Sequence, residues 1–545
     1  MRAAGAQLFR EKLHSSWLIA AAGGGFLAGA GLAVLPRTDV FAQAFWLVAA
    51  VAILVLVFAS RLKIMVIFAV VAGLILGLWR GTLARVDLNV YRDWINQSVI
   101  LRGAVKEDPD FGTSGDLRLK LTSVEVILSA DYDKLNAENV ANLDDYFTTL
   151  PGTVWASVFA PSAAVKRSDE VEILGTLKSG FGTFPATISY GNLVGAARSP
   201  DEDPARELRD AFGDKLREVI PSPAADLGMG ILAGQKTALP AALNAAFIAA
   251  SLMHIVVASG YNLTILVRFA RRIFAKISRF AALGFGGILV FSFACVTGFS
   301  PSMTRASLVA GLSLLAWYYG RKFHPVVLLT VVAAATVAFD PSVVWGDAGW
   351  YMSFLSFAGV LVLAPLIRAY FWGNDDDKLR ARPTLFWRFR AKLYAKIHHR
   401  KSLKLEKVKL QSSHSWRQIF VETMSAQVMA APIIALLMGN FSPYGIVANI
   451  LVLPILPLAM LATFVAGLGA ICLPLGLAQI VAWPATQLLN YVIFITEKVA
   501  DLPGSLQTLQ PPLWLTLIIF AAILLIIIYL KRVTKHNFRD DNVVD

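Results

Sequence analysis

Polar and charged side chains set into apolar surroundings are the places where this chain could do chemistry. His254, Ser259, Gly260 and Asn262 fall in one apolar run, where polar groups are costly and usually face a cavity or a partner helix. His254 and Ser259 sit five apart and share no helix face, so they do not form a nucleophile–base pair. Asn449 precedes Pro454 and Pro457 in a second apolar run. Broken helices of that kind often line substrate paths, although ordinary kinks and packing explain them equally. Arg305 follows Ser302-Met303-Thr304 at the start of a third run. A cation at a pore mouth would attract a polyanion; snorkelling to lipid headgroups is the rival reading. Arg388, Arg390, Lys392 and Lys396 stand among Phe386, Trp387, Phe389 and Tyr394. Such a stretch suits a docking surface for phosphates, an amphipathic helix on anionic lipid, or a plain topology signal.

Other chemistries are excluded or disfavoured. In Gly234-Gln235-Lys236-Thr237 a glutamine stands where a P-loop needs glycine before its lysine, so no nucleotide site is expected. The seven His, at 14, 254, 324, 398, 399, 414 and 536, form no metal-ligand set, and no cofactor or metal is expected. Cys295 and Cys472 both lie in apolar runs, which excludes a disulfide framework.

The elements that must position these groups are membrane helices. Of 545 residues 56% are apolar and only 16% charged, with a mean hydropathy of +0.60, so a soluble enzyme is excluded. Apolar stretches predict about twelve spans: Trp17–Leu35, Phe41–Ala59, Ile64–Trp79, Ala245–Val267, Phe280–Gly298, Met303–Tyr319, Pro325–Phe339, Trp350–Ala369, Ile419–Met438, Tyr444–Ile471, Gly476–Val499 and Leu513–Leu530. With the N-terminus inside, inner segments carry 29 Lys and Arg, and the short outer loops carry Arg37 alone. The positive-inside rule then puts both termini in the cytoplasm. The formal charge of +13 is therefore an inner-face property, since the outer segment Gly81–Asp226 has a net charge of −8.

That outer segment reads as β-rich. Val99–Lys106, Leu117–Leu128, Thr153–Phe159 and Val171–Leu177 alternate in part and are bounded by turn residues. A small barrel of the OB type fits, and a small sandwich nearly as well. Trp155, Phe159, Phe181, Phe184 and Tyr190 either fill this barrel or stack bases; the negative charge opposes a grip on phosphates. Pro204–Ile220 predicts an amphipathic helix on the membrane surface or against the insert. Leu227–Ala233, too short to span, suits a re-entrant or interfacial helix, and Gly230 with Gly234 permits close packing.

The expected organisation is three N-terminal helices over 1–80, an OB-like extracytoplasmic domain over 81–203 and interfacial helices over 204–244. A first membrane part follows over 245–370, then a basic cytoplasmic loop over 371–418, a second membrane part over 419–530 and a cytoplasmic tail over 531–545. The fold class is an all-α polytopic membrane protein of about twelve transmembrane helices with a β-rich OB-like insert.

GILAGQKTALP (230–240) followed by AFIAASLMHIVVASGYNLTIL (246–266) resembles the signature of the ComEC family of competence DNA-internalisation proteins. SPSMTRA, WYMSFLSFAGVLVLAP and SAQVMAAPIIALLMGNFSPYGIVANILVLP follow in the family's order. The resemblance implies passage of one DNA strand through the cytoplasmic membrane during transformation. As partners it implies single-stranded DNA, the bilayer, an outer DNA receptor and a cytoplasmic ATP-driven motor. Two features depart from it. Many members have a His after the Ser-Gly-Leu of this helix, where Ser259-Gly260-Tyr261 is followed by Asn262. Many also end in a β-lactamase-like hydrolase domain with an HxHxDH motif, which is expected to be missing here. The expected function is therefore a channel for single-stranded DNA and not an enzyme, with a separate nuclease as a further partner. The alternative is a transporter or flippase of another anionic or lipid-linked substrate. Intramembrane acids that would couple it to ions are scarce, Glu422 and Glu497 being the nearest.

Overall fold

The computed structural model describes residues 12–112, 116–137, 143–159, 165–198, 203–235, 239–256, 260–321, 324–372, 416–536 and 538. Three helices open the chain: α1 (Ser15–Leu32), α2 (Ala44–Ser60) and α3 (Met65–Leu88). α1 and α3 run parallel and touch backbone to backbone. A Cβ at Gly25 would strike the Val70 carbonyl, at Gly29 that of Leu74, at Gly73 that of Ala22 and at Gly77 that of Phe26. These glycines recur every four residues, the small-residue spacing that lets membrane helices approach closely.

α3 leads into the β-rich domain through a 3-10 turn, Asn89–Asp93, whose buried Tyr91 donates to the Pro151 carbonyl at 2.8 Å. Five strands form a closed, barrel-like ring: β1 (Ser98–Val105), β2 (Leu117–Leu128), β3 (Val154–Val158), β4 (Glu170–Ser179) and β5 (Ala186–Ala197). β1 pairs antiparallel with β2 and β4, β2 with β3 and β4 with β5, and the ring closes through a parallel β3–β5 pairing. This order is compatible with an OB barrel. The core is aliphatic: Val99, Leu101, Leu119, Leu121, Ile173, Leu177 and Ile188. The reading in which the aromatics fill the barrel is corrected. Trp155 is the outward alternate between inward Val154 and Ala156, and Phe159, Phe181 and Tyr190 are 66%, 55% and 72% exposed.

The body follows as α4 (Pro204–Val219), α5 (Ala224–Ala233), α6 (Ala241–Ala249), α7 (Met253–Val256), α8 (Gly260–Phe274), α9 (Arg279–Val296), α10 (Pro301–Tyr318), α11 (Pro325–Phe339), α12 (Ala348–Ala358), α13 (Ala364–Trp372), α14 (Trp416–Met438), α15 (Gly445–Val452), α16 (Leu456–Cys472), α17 (Leu475–Ala500) and α18 (Leu513–Thr534). A π-helical turn, Gly359–Leu363, joins α12 to α13. Among the described residues, seven helices are long and apolar enough to cross a membrane, or eight if the α15–α16 pair, bent by 52°, is one span. The twelve-span expectation exceeds this for identifiable reasons. α2 and α11 are apolar but short, and α10 carries Arg305 and four Ser or Thr. The stretch Ala245–Val267 is not one helix: it breaks at Ser251, whose φ is +56°, between α6 and α7, while residues 257–259, between α7 and α8, lie outside the described residues.

Two faces of the body are defined by contacts between distant segments. On the barrel side, arginines hydrogen-bond the last carbonyls of helices, where the dipole favours a cation. Arg80 donates to Ala338 and Phe339 at the end of α11 (2.9 and 3.0 Å), and Arg85 donates to Leu35 just beyond α1 (2.6 Å). From the barrel, Arg167 donates to Val296 at the end of α9 (3.1 Å). On the opposite face, Leu13 donates to the Arg61 carbonyl (2.8 Å). There Trp17 packs on His324 (ring centroids 4.7 Å apart), and His324 on Phe538 (5.5 Å). Both ends of the described chain thus meet on the face away from the barrel.

The amphipathic helix α4 lies between barrel and body. Its charged face is the buried one: Arg206 is fully buried and Arg209 is 3% exposed. Arg206 pairs with Asp169 at 2.8 Å, and Arg209 donates to Asp108 (3.0 Å). On the other side Phe212 stacks on Phe464 of α16.

Candidate functional site

α5 is buried along almost its whole length, at the centre of the largest core cluster. Its first turn is held by Asp226, which accepts from Arg217 at 3.0 Å and from the Ser222 hydroxyl. Its last turn ends at Gly234 in the left-handed region (φ +73°). Asn262 of α8 donates its Nδ2 to the Ile231 carbonyl at 2.9 Å. A short helix deep in apolar surroundings must have its end carbonyls satisfied by protein, and Asn262, itself fully buried, supplies one such bond.

Two interrupted segments meet beside α5. One is the α6–α7–α8 run; the other is α15–α16. Ser442 donates its hydroxyl to the Ala249 carbonyl at 2.6 Å, where α6 ends. Gly445 faces Ser251 so closely that a Cβ there would lie 2.7 Å from the serine Cβ and 3.2 Å from Gln427 Nε2. His254 sits beside Ser251 and Asn449 and keeps accessible surface. Asn449 is 2% exposed; its Nδ2 donates to Gly445 at 2.8 Å, and its Oδ1 is buried with no hydrogen-bond partner among the described residues. The junction therefore gathers one imidazole, two carboxamides and two hydroxyls, all neutral hydrogen-bonding groups except the imidazole in its protonated form. Such a set can exchange hydrogen bonds with a passing polar ligand without holding it by charge.

The other sequence-selected residues are distributed differently. Gly260 opens α8, where a Cβ would meet Ala306 at 3.3 Å, so it serves helix contact. Arg305 is 5% exposed. Its Nη2 donates to the Gly349 carbonyl at 3.0 Å, its Nη1 lies 3.9 Å from Asp347, and the barrel's Glu107 is within electrostatic reach. It ties α10 to the start of α12. Ser259 and the basic set Arg388, Arg390, Lys392 and Lys396 lie outside the described residues. Sequence reasoning singled out His254 and Asn449 separately; the structure brings them together. It missed Ser251, Ser442 and Gly445, whose only signal was a cluster of small and polar residues near two helix breaks. Among the described residues no three His, Cys, Asp or Glu side chains form a metal set.

The barrel is fixed over this body through carboxylates. Burial pushes the Asp203 carboxyl up, but Arg167, the Arg206 amide and Ser168 together hold it below the usual range. Burial acts likewise on Asp210, and Lys166 and Arg209 outweigh it. Gly182 of the barrel meets Gly346, next to Asp347, backbone to backbone.

The family model described as "Competence protein" matches residues 231–533, more than half of the chain. The match begins at Ile231, the residue held by Asn262, and takes in both interrupted segments. No curated protein and no solved structure matches the chain.

Proposed function

The chain belongs to the competence-protein family, of the ComEC type, and from that premise we propose that it conducts one strand of DNA across the cytoplasmic membrane. The family supports a role in DNA uptake for competence; conduction, the strand and its route are our reading. The observation that carries the route is the meeting of His254 with Asn449 where two interrupted helices face each other, inside the part of the chain that matches the family. A DNA strand in a low-dielectric body needs polar groups in exchange for water. Neutral donors and acceptors offer that exchange and release each nucleotide readily.

In this reading the barrel is an OB domain on the outer side, both termini are cytoplasmic and the shorter apolar helices complete the spans. Arg305 braces the outer end of the path and does not receive the strand as a free cation. The chain conducts and does not cut, the driving force comes from a cytoplasmic motor, an outer receptor delivers DNA, and a separate nuclease removes the other strand. The test is transformation frequency scored beside DNA uptake to the outer compartment in a deletion strain. Loss of transformation with uptake retained is expected; loss of both would put the protein upstream of the membrane step. Cysteine labelling at Ala130, exposed on the barrel domain, and at Lys535 tests orientation. Labelling of Ala130 from the cytoplasmic side alone would overturn it.

A further inference from the structure

From Leu227 to Phe339 the sequence contains no Asp and no Glu, yet it holds nine Lys and Arg. Six of the nine, Arg268, Arg271, Arg272, Lys276, Arg279 and Arg321, lie at one end of the three-helix group α8, α9 and α10, on the face away from the barrel. α8 packs on α9 and α10, and neither helix contributes an acid. Within this three-helix group the cations meet no carboxylate of the group itself. Its geometry is organised: the Arg271 guanidinium lies 4.7 Å from the Trp317 ring centre at the end of α10. Phe274 stacks on Phe285, with centroids 4.0 Å apart, to close the α8–α9 turn.

The exposed side chains of this corner interleave two chemistries. Arg272, Lys276, Arg279 and Arg321 are exposed, and between them stand Phe269 (53% exposed), Ile273 (42%), Ile277 (74%) and Phe280 (73%). A surface facing only water has no reason to present four large apolar groups across the end of α8, the turn and the start of α9. A surface facing only acyl chains would not present four cations. Both are satisfied at headgroup depth, where apolar groups reach chains and long basic side chains reach phosphates.

We propose that this corner is a binding site for an anionic phospholipid, whose phosphate sits on Arg272, Lys276 and Arg279 and whose chains lie along Phe269, Ile273 and Phe280. The site is separate from the strand path and does not depend on it. A nucleic acid would use the cations and leave the exposed apolar row in water; the lipid uses both.

The test is native mass spectrometry of the full chain in detergent, titrated with phosphatidylglycerol and, separately, with phosphatidylcholine of the same chains. The native protein should prefer phosphatidylglycerol. The variant carrying Arg272→Gln, Lys276→Gln and Arg279→Gln should bind it at least about tenfold more weakly, each cation near a membrane surface being worth a several-fold factor, with phosphatidylcholine unchanged. A Lys531→Gln, Arg532→Gln, Lys535→Gln variant should bind as the native chain does, and Arg272→Lys with Arg279→Lys should restore most of the preference if the triple variant folds poorly. Equal binding of the two lipids by the native chain would overturn the proposal. So would an unchanged affinity in the triple variant, or a single-stranded oligonucleotide whose binding is lost in that variant while phosphatidylglycerol binding is not.

Discussion

Asn262 Nδ2 lies 2.9 Å from the carbonyl oxygen of Ile231, joining α8 to the last turn of a helix buried on all sides. The bond fixes the position of α5 against the interrupted run that holds His254. An Asn262→Leu variant leaves that carbonyl without its donor, at a cost of about 1–3 kcal/mol. The variant is expected to show a lower thermal midpoint in detergent and a reduced transformation frequency together. An unchanged midpoint with lost transformation would move Asn262 from a structural to a path-lining role.

The α1–α3 crossing depends on the absence of side chains at Gly25, Gly29, Gly73 and Gly77. Gly77→Leu forces the backbones apart at an expected cost of about 3 kcal/mol or more. Thermal aggregation of the solubilised protein measures this. Gly24→Leu, at a position with open space around it, should be neutral.

How much of this was legible in the sequence follows from what each feature looks like locally. Long apolar helices such as α17 and α18 announce themselves because length and apolarity are properties of the segment alone. The barrel strands were legible by alternation. The break at Ser251 was not, because Ala, Ser, Leu and Met around it are all compatible with a continuous apolar run. The pairing of Arg80 with the end of α11, or of Arg167 with the end of α9, is invisible to any local pattern, since the partners lie 258 and 129 residues apart. For the same reason Arg305 resembled a free outer cation until Asp347 and Gly349 came into view.

Asp203 and Asp210 are held below the usual carboxylate range by their basic partners. A carboxyl lowered in the folded state contributes stability above its unfolded pKa and loses it as pH falls through the folded value. Docking of the barrel on α4 is therefore expected to be constant near neutrality and to weaken below about pH 4. Hydrogen exchange of β4 and α4 as a function of pH checks this. Asp203→Asn should give the weakened state at neutral pH.

Arg167 is 3% exposed, pairs with Asp203 at 2.7 Å and reaches the end of α9. A Cβ at Gly298 would collide with it. Arg167→Ala leaves the half-buried Asp203 carboxylate with only the Ser168 hydroxyl and the Arg206 amide, and a loss of about 1–3 kcal/mol is expected. Gly298→Leu should loosen the same joint from the body side, although it leaves the ion pair's residues intact. Hydrogen exchange of β4 and of the end of α9 is the measurement, and both variants should exchange faster than the native chain.

In this reading the strand passes His254 at the junction of the interrupted helices. A photoreactive residue placed at 254, in cells that still transform, with labelled DNA arrested during uptake, tests it directly. A covalent adduct between this protein and single-stranded DNA is expected at 254, and none at Leu517, a 59% exposed residue of α18. Transformation without an adduct at 254, or equal adducts at 254 and 517, would contradict it.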